Sequence, residues 1–231
     1  MQLPPLISAT LVQRYKRFLA DVRLENGELI TAHCPNTGSM KQCSQPGRPV
    51  YLSRHQNPRR KYEHTWELIH MSQSLVGINT QATNLIVREA LQARQVDLLK
   101  DYDRVQAEVK IANNTRIDFM LSGANRENCY LEVKNCTLVQ EGQALFPDAI
   151  TQRGQRHLQE LIALSQAGYQ AAIFFLVQRS DACSFSPAQD IDPVYSQLLR
   201  QAREENVHIM AYDVDISMQS ISIRNELPCS I

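Results

Sequence analysis

The sequence predicts an α+β protein in two parts: a small all-β unit over residues 1–80 and an α/β layer unit over residues 81–231. Three observations predict it. Short alternating runs between turn residues fill the first eighty positions, the apolar period lengthens to that of a helix at Thr83, and the charge divides at the same place. The whole chain balances 24 Lys and Arg against 24 Asp and Glu, yet residues 1–80 hold ten basic against five acidic side chains and residues 81–231 hold fourteen against nineteen. A basic unit that gathers phosphates is thus joined to an acidic one whose carboxylates suit divalent cations.

In the first unit the expected strands are residues 8–15, 18–24, 28–33, 48–54 and 65–71. Asn26-Gly27 between alternating runs is a hairpin signal, so 18–33 is expected to fold back on itself. Pro35-Asn36-Thr37-Gly38 and Pro46-Gly47 break the remaining runs. Five strands in so short a span point to a small OB-like β-barrel, a scaffold that commonly holds oligonucleotides. In the second unit Leu85, Ile86, Glu89, Ala90, Leu91 and Ala93 mark an amphipathic helix, with Thr83 or Asn84 placed to cap it. Strands follow at 106–112, 116–122 and 129–134. A helix over 149–167 turns Leu158, Leu161, Ile162 and Leu164 inward and stops at Gly168. The unbroken apolar run 171–177 reads as a strand covered on both faces. A helix at 193–205 and a strand at 208–212 complete an α/β layer order.

Hydrophobic residues make up 43% and charged residues 21%, which is ordinary for a globular protein and excludes a disordered or fibrous one. No run approaches the roughly 18 apolar residues of a membrane span, and Met1 to Pro5 lacks a secretory-signal pattern, so a cytoplasmic protein with no membrane partner is expected. Six scattered cysteines without a CxxC pair argue against a disulfide framework or a zinc ribbon, and they read as reduced core thiols.

The chemistry concentrates in two strands. In Arg116-Ile117-Asp118-Phe119 a carboxylate lies between apolar neighbours, where an unpaired charge is costly. In Leu131-Glu132-Val133-Lys134 the alternation puts Glu132 and Lys134 on one face. If the strands pair, Asp118 and Glu132 converge on one hard cation, Mg²⁺ or Mn²⁺, with Lys134 beside an attacking water. Glu89 is a candidate third carboxylate and Glu108 a weaker one. Taken alone, Asp118 reads equally as a structural ion-pair partner for Arg116 or Lys134.

The order helix-Glu, strand, strand-Asp, strand-ExK, helix resembles the PD-(D/E)xK nucleases over roughly residues 83–180, with Ile117 where those proteins carry proline. Pro147-Asp148 follows the ExK and is out of order for that role. Longer segments, His33-Cys34-Pro35-Asn36-Thr37-Gly38-Ser39-Met40, Gly77-Ile78-Asn79-Thr80, Arg116-Ile117-Asp118-Phe119, Glu132-Val133-Lys134-Asn135 and Phe146-Pro147-Asp148-Ala149, resemble the sugar fermentation stimulation protein A family. That resemblance implies an OB-like domain, a restriction-endonuclease-like domain, non-sequence-specific DNA binding and a role in regulating sugar (maltose) metabolism.

The expected function is therefore metal-dependent hydrolysis of phosphodiester bonds in DNA, single-stranded or branched forms included. The alternative is a non-catalytic DNA-binding regulator. Candidate nucleic-acid contacts are Lys16, Arg17, Arg54, Arg59, Arg60 and Lys61 in the basic unit, and Arg153 and His157 on the second helix. Each basic run reads nearly as well as a solvated loop. The Pro35 to Gly38 turn is a candidate backbone cradle for phosphate, or simply a barrel turn.

Overall fold

The computed structural model describes residues 1–57, 59–72, 74–111 and 116–231 of the 231-residue chain. Ala112 of the expected strand 106–112 and Pro58 of the basic run lie outside the described residues. The first unit holds β1 (Leu6–Tyr15), β2 (Leu19–Leu24), β3 (Leu29–His33), β4 (Pro49–Arg54), β5 (His64–His70) and β6 (Leu75–Gly77). β1 pairs with both β2 and β4, β2 pairs with β3, β4 pairs with β5, and a parallel contact between His33 and Thr65 joins β3 to β5. Those five pairings close an OB-like barrel, with the single His33–Thr65 contact as its seam. Its core is Leu11, Val22, Val50, Leu52, Trp66 and Ile69. The Trp66 indole donates to the Leu68 carbonyl at 2.9 Å, so the lone tryptophan is core, with its N–H satisfied. The Asn26-Gly27 hairpin is as expected, with Gly27 at φ +87, a conformation that only glycine adopts freely.

The second unit runs α1 (Thr83–Gln92), β7 (Arg104–Lys110), β8 (Arg116–Ser122), β9 (Cys129–Cys136), β10 (Leu138–Gln140), β11 (Gln143–Phe146), α2 (Gln152–Gln166), β12 (Gln170–Val177), β13 (Ser184–Pro187), α3 (Pro193–Glu204), β14 (His208–Ile216) and β15 (Ile221–Glu226). Its main sheet has the order β15-β14-β12-β9-β8-β7, parallel only where β12 lies between β9 and β14. Both faces are covered. Ala172, Phe174 and Leu176 of β12 pack with Ile86, Val87 and Ala90 of α1, while Ile173, Phe175 and Val177 pack with Leu158 and Leu161 of α2 and Leu199 of α3. This double burial is why the 171–177 run shows no alternation.

Four elements that the sequence reading lacks, β6, β10, β11 and β13, are three or four residues long, too short to display a period. The fifth, β15, is an edge strand. The cap expected at Thr83 or Asn84 is not there. A 3₁₀ turn (Thr80–Ala82), capped by Asn79 accepting from the Gln81 amide, leads straight into α1 and leaves the Asn84 side chain for another partner. The split near residue 80 is also crossed. Met1 and Leu3 pack into the α1-side core, and the Leu3 amide donates to Gln219 at 2.7 Å. All six cysteines are free, with Cys34, Cys43, Cys129 and Cys136 buried. Among the described residues no helix is long and apolar enough to cross a membrane.

Candidate metal and nucleic-acid site

The site lies where β8 and β9 part. Their pairing runs from Leu121 opposite Cys129 to Phe119 opposite Leu131 and then stops. At the next position the Asp118 carboxylate takes the place of a ladder partner: Oδ2 accepts the Val133 amide at 2.8 Å and Oδ1 accepts the Asn84 amide group of α1 at 2.8 Å. Asp118 is thus a wedge between strands, bonded to both β9 and α1. Burial and the neighbouring Glu132 push its carboxyl above the ordinary value, against the pull of those two hydrogen bonds.

On β9, Leu131 and Val133 face the α1 side, and the alternation sends Glu132 and Lys134 to the α2 side, next to Ile173 and Phe175 of β12. The Glu132 side chain is 3% exposed. Its Oε1 receives the Lys134 ammonium at 2.5 Å and a hydrogen bond from His157 Nδ1. Burial pushes the Glu132 carboxyl up, but the His157 bond and the Lys134 charge outweigh it and hold the group below its ordinary value. Its Oε2 is buried and has no partner among the described residues.

α2 brings His157 to this carboxylate because its amino-terminal end is fixed twice. Thr151 accepts the Gly154 amide at 3.0 Å, and Asp192, the cap of α3, accepts the Thr151 amide at 2.9 Å. Gly154 is required by a close approach. A Cβ there would stand 2.7 Å from the Thr151 methyl and 3.0 Å from the Tyr195 ring.

The structure therefore brings Asp118, Glu132 and Lys134 into one cluster and adds His157. His157, expected among the phosphate contacts, is 6% exposed and bonded to Glu132, so it belongs to the carboxylate cluster rather than the surface. Exposed Arg153 reaches His157 Nε2 at 3.4 Å and remains a surface cation. Glu89 is not brought in: it is five residues beyond Asn84, about 140° around the helix, and its carboxylate meets the Met1 ammonium at 2.5 Å. Glu108 pairs loosely with Arg116 at 3.8 Å, which leaves Asp118 no ion-pair role with Arg116. Among the described residues no group of three or more His, Cys, Asp or Glu side chains is arranged to hold a metal.

The basic residues of the barrel gather at one end. Lys16 and Arg17 form the exposed β1–β2 turn, both at positive φ. Leu19 pairs with His33, which touches Thr65, and Arg60 donates to Thr65 at 3.4 Å. Arg59, Arg60 and Lys61 are exposed, with Lys61 5.6 Å from the Tyr62 ring centre, whereas Arg54 is paired with Glu63 at 3.2 Å. From the same end the 34–40 loop reaches the second unit. Ser39 Oγ and the Met40 amide donate to Asp148 at 2.9 and 3.1 Å. This narrows the expected phosphate cradle: the Gly38 amide is bonded to Asn36 Oδ1 at 2.8 Å and the neighbouring Met40 amide to a carboxylate, so neither is free for an anion. Pro147-Asp148, out of order as a nuclease motif, is the clasp between the units. Asn84, Asp148 and Asp192 are the functional residues that sequence reasoning missed, because each acts on a partner remote in sequence.

Residues 12–78 match the SfsA N-terminal OB domain, and residues 81–220 match the sugar fermentation stimulation protein RE domain. The chain is 52% identical over 229 residues to a sugar fermentation stimulation protein homolog of Pelobacter propionicus, covering 99% of each. It is 50% identical over 228 residues to the homolog of Geotalea uraniireducens, covering 98% of each. The structure of Pyrococcus furiosus SfsA in complex with Ca²⁺ superposes with a TM-score of 0.91 at 25% identity, over 100% of this chain and 98% of that one. The expected architecture, an OB-like barrel fused to a restriction-endonuclease-like α/β domain, thus holds across the whole length, and the chain belongs to the sugar fermentation stimulation protein family.

Proposed function

We propose that the protein binds DNA without sequence specificity and hydrolyses its phosphodiester bonds with a divalent cation, Mg²⁺ or Mn²⁺. The observation that carries this reading is the pair of carboxylates, half-buried Asp118 and buried Glu132, close enough at a strand split beside Lys134 to raise the Asp118 carboxyl. The donor set fits a hard cation. Both groups offer only oxygen, Glu132 Oε2 is buried without a partner, and two carboxylates leave room for the several waters that Mg²⁺ keeps. The archaeal relative, whose structure contains Ca²⁺, supports the same preference for oxygen ligands.

Asp118 and Glu132 would hold the cation, which when bound supplies a water of lowered pKa and charge neutralisation at the phosphate. The remaining roles fall to the protein. Asn84 and the Val133 amide hold Asp118 in the strand split, and His157 orients Glu132. Lys134, released from Glu132 Oε1, places its ammonium against charge developing on the phosphate. Exposed Lys16, Arg17, Arg59, Arg60, Lys61 and Arg153 draw the strand in by counterion release.

The test is a cleavage assay on single-stranded, duplex and branched DNA with Mg²⁺ or Mn²⁺, wild type beside Glu132→Ala. Metal-dependent cutting that vanishes in the variant, with DNA binding retained, is the expected result. Cutting by Glu132→Ala at the wild-type rate would refute the site. Paired charge reversal, Arg59→Glu with Arg60→Glu, should weaken binding and lower the slope of log K against log salt by about 2. A second reading, a DNA-binding regulator of sugar (maltose) metabolism that does not cut, draws support from Glu132 Oε1 being already bonded to Lys134 and His157. Binding without cutting on every substrate and with both metals would select it.

A further inference from the structure

Between the 34–40 loop of the barrel and the end of β9 lies an open cavity of about 190 Å³, lined among others by Asn36, Thr37, Thr80, Asn135, Phe146 and Asp148. Asn135 follows Lys134 on β9, so the cavity opens one residue along the strand from the carboxylate cluster. A dry cavity of about 150 Å³ admits benzene, so this one has room for a ring of pyrimidine size. Its chemistry is polar and directional. Asn36, 5% exposed, has its Oδ1 bonded to the Gly38 amide, a group that can only donate, which leaves its Nδ2 as the free end. Asn135 Oδ1 takes Gln178 Nε2 at 2.6 Å, which leaves a second amide NH₂ without a partner among the described residues. The Asp148 carboxylate, held through Oδ2 by Ser39 and Met40, keeps Oδ1 as an acceptor.

Two amide donors and one carboxylate acceptor around a ring-sized space do not suit a phosphate, because the Asp148 charge repels it. They suit a neutral heteroaromatic ring bearing carbonyl or imine acceptors and an N–H donor. We propose that this cavity takes one unstacked nucleobase from an unpaired stretch of the bound strand, next to the phosphate at Glu132 and Lys134. This rests on the DNA-binding reading above and deepens it by naming the substrate form: a strand with at least one base free of its partner at the cutting position. A base taken this way is recognised by its edge and its ring, and a fully paired duplex presents neither at this depth.

The experiment compares, in EDTA so that nothing is cut, the affinity of the full chain for a thymidine oligonucleotide and for an abasic oligonucleotide of the same length. Wild type should prefer the thymidine strand by about 5- to 100-fold, the range that one accommodated base contributes. Asn36→Asp keeps the oxygen that the Gly38 amide needs but replaces the free donor with a charge. Thr37→Trp, at an exposed position, fills the cavity. Both should lose the preference, and Thr37→Trp, which adds no charge, should keep the wild-type affinity for the abasic strand. Salt-dependent binding with equal affinity for the two strands in wild type would overturn the pocket while leaving the DNA-binding reading in place. Equal loss of both affinities in the two variants would also overturn it, as a merely structural effect. No binding to either strand would remove the DNA-binding reading, and the pocket with it.

Discussion

Removing one charge from the Glu132–Lys134 pair should cost far more than removing both. Two unit charges 2.5 Å apart attract by about 7 kcal/mol at an effective dielectric of about 20. Most of that is offset by taking a 3% exposed carboxylate and a 12% exposed ammonium out of water. The net value of the pair is therefore small, but each half depends on the other. Lys134→Met leaves a buried carboxylate supported only by His157 and should destabilise the fold by about 3–5 kcal/mol. Glu132→Gln leaves an ammonium that can turn towards water, at the lower end of the same range. The double variant buries no charge here and should cost at least about 2 kcal/mol less than the sum of the singles. Urea unfolding reads this directly, as shifts in midpoint at an unchanged m value. Additivity within about 0.5 kcal/mol would refute the reasoning: the two groups would then be independently solvated, and the lowered Glu132 carboxyl would need another cause.

Asp192→Ala should destabilise by about 3–5 kcal/mol in the same assay, since a 1% exposed carboxylate there caps α3 and receives the Thr151 and Tyr195 amides and the Gln155 side chain. Asp192→Asn, which keeps one acceptor oxygen, should recover more than half of that loss. For Asp181, burial alone would raise the carboxyl, but two bonds of 2.6 Å from Arg179 and its charge leave it lowered. Its contribution is thus present above the unfolded value near 3.8 and disappears as pH falls through the lower folded value. Stability curves of wild type and Asp181→Asn measured by acid titration should therefore converge at low pH and separate above about pH 4. Parallel curves throughout would show that the ion pair contributes nothing.

Most of the architecture could be read in the sequence because each main element satisfies a local rule and the fold respects it. Asn26-Gly27 made a hairpin, the 171–177 run became the strand buried on both faces, and Gly168 at φ +90 ended α2. The core of the site was legible for the same reason. Glu132 and Lys134 are two apart on one strand, so alternation alone puts them on one face. What could not be read depends on partners more than twenty residues away. His157 looked like a surface cation at helical spacing from Arg153, and only the packing of α2 on β9 buries it against Glu132. Asn84 had the residue type and position of a cap, but the 3₁₀ turn before α1 made the cap unnecessary. Glu89 had the right charge on the wrong face of the helix.

Asp118 shares a physical role with two of the missed residues. Asp118, Asp148 and Asp192 each accept a backbone amide from an element remote in sequence: Val133 on β9, Met40 in the barrel loop, and Thr151 at the start of α2. A carboxylate suits this role because a charge-assisted bond to an amide contributes about 1.5–3 kcal/mol, and the amide, if abandoned, carries its own desolvation cost. The three together position everything the proposed chemistry needs. Asp192 fixes the helix that carries His157 and Arg153, Asp148 fixes the 34–40 loop at the barrel end where the exposed cations gather, and Asp118 fixes the split in which it would itself be a ligand. In the proposed site only Asp118 would serve structure and metal at once. Burial and the neighbouring Glu132 carboxylate push its carboxyl above the ordinary value. A divalent cation between Asp118 and Glu132 would relieve that repulsion, so adding Mn²⁺ to the wild-type protein should raise its melting temperature, and the rise should disappear in Glu132→Gln.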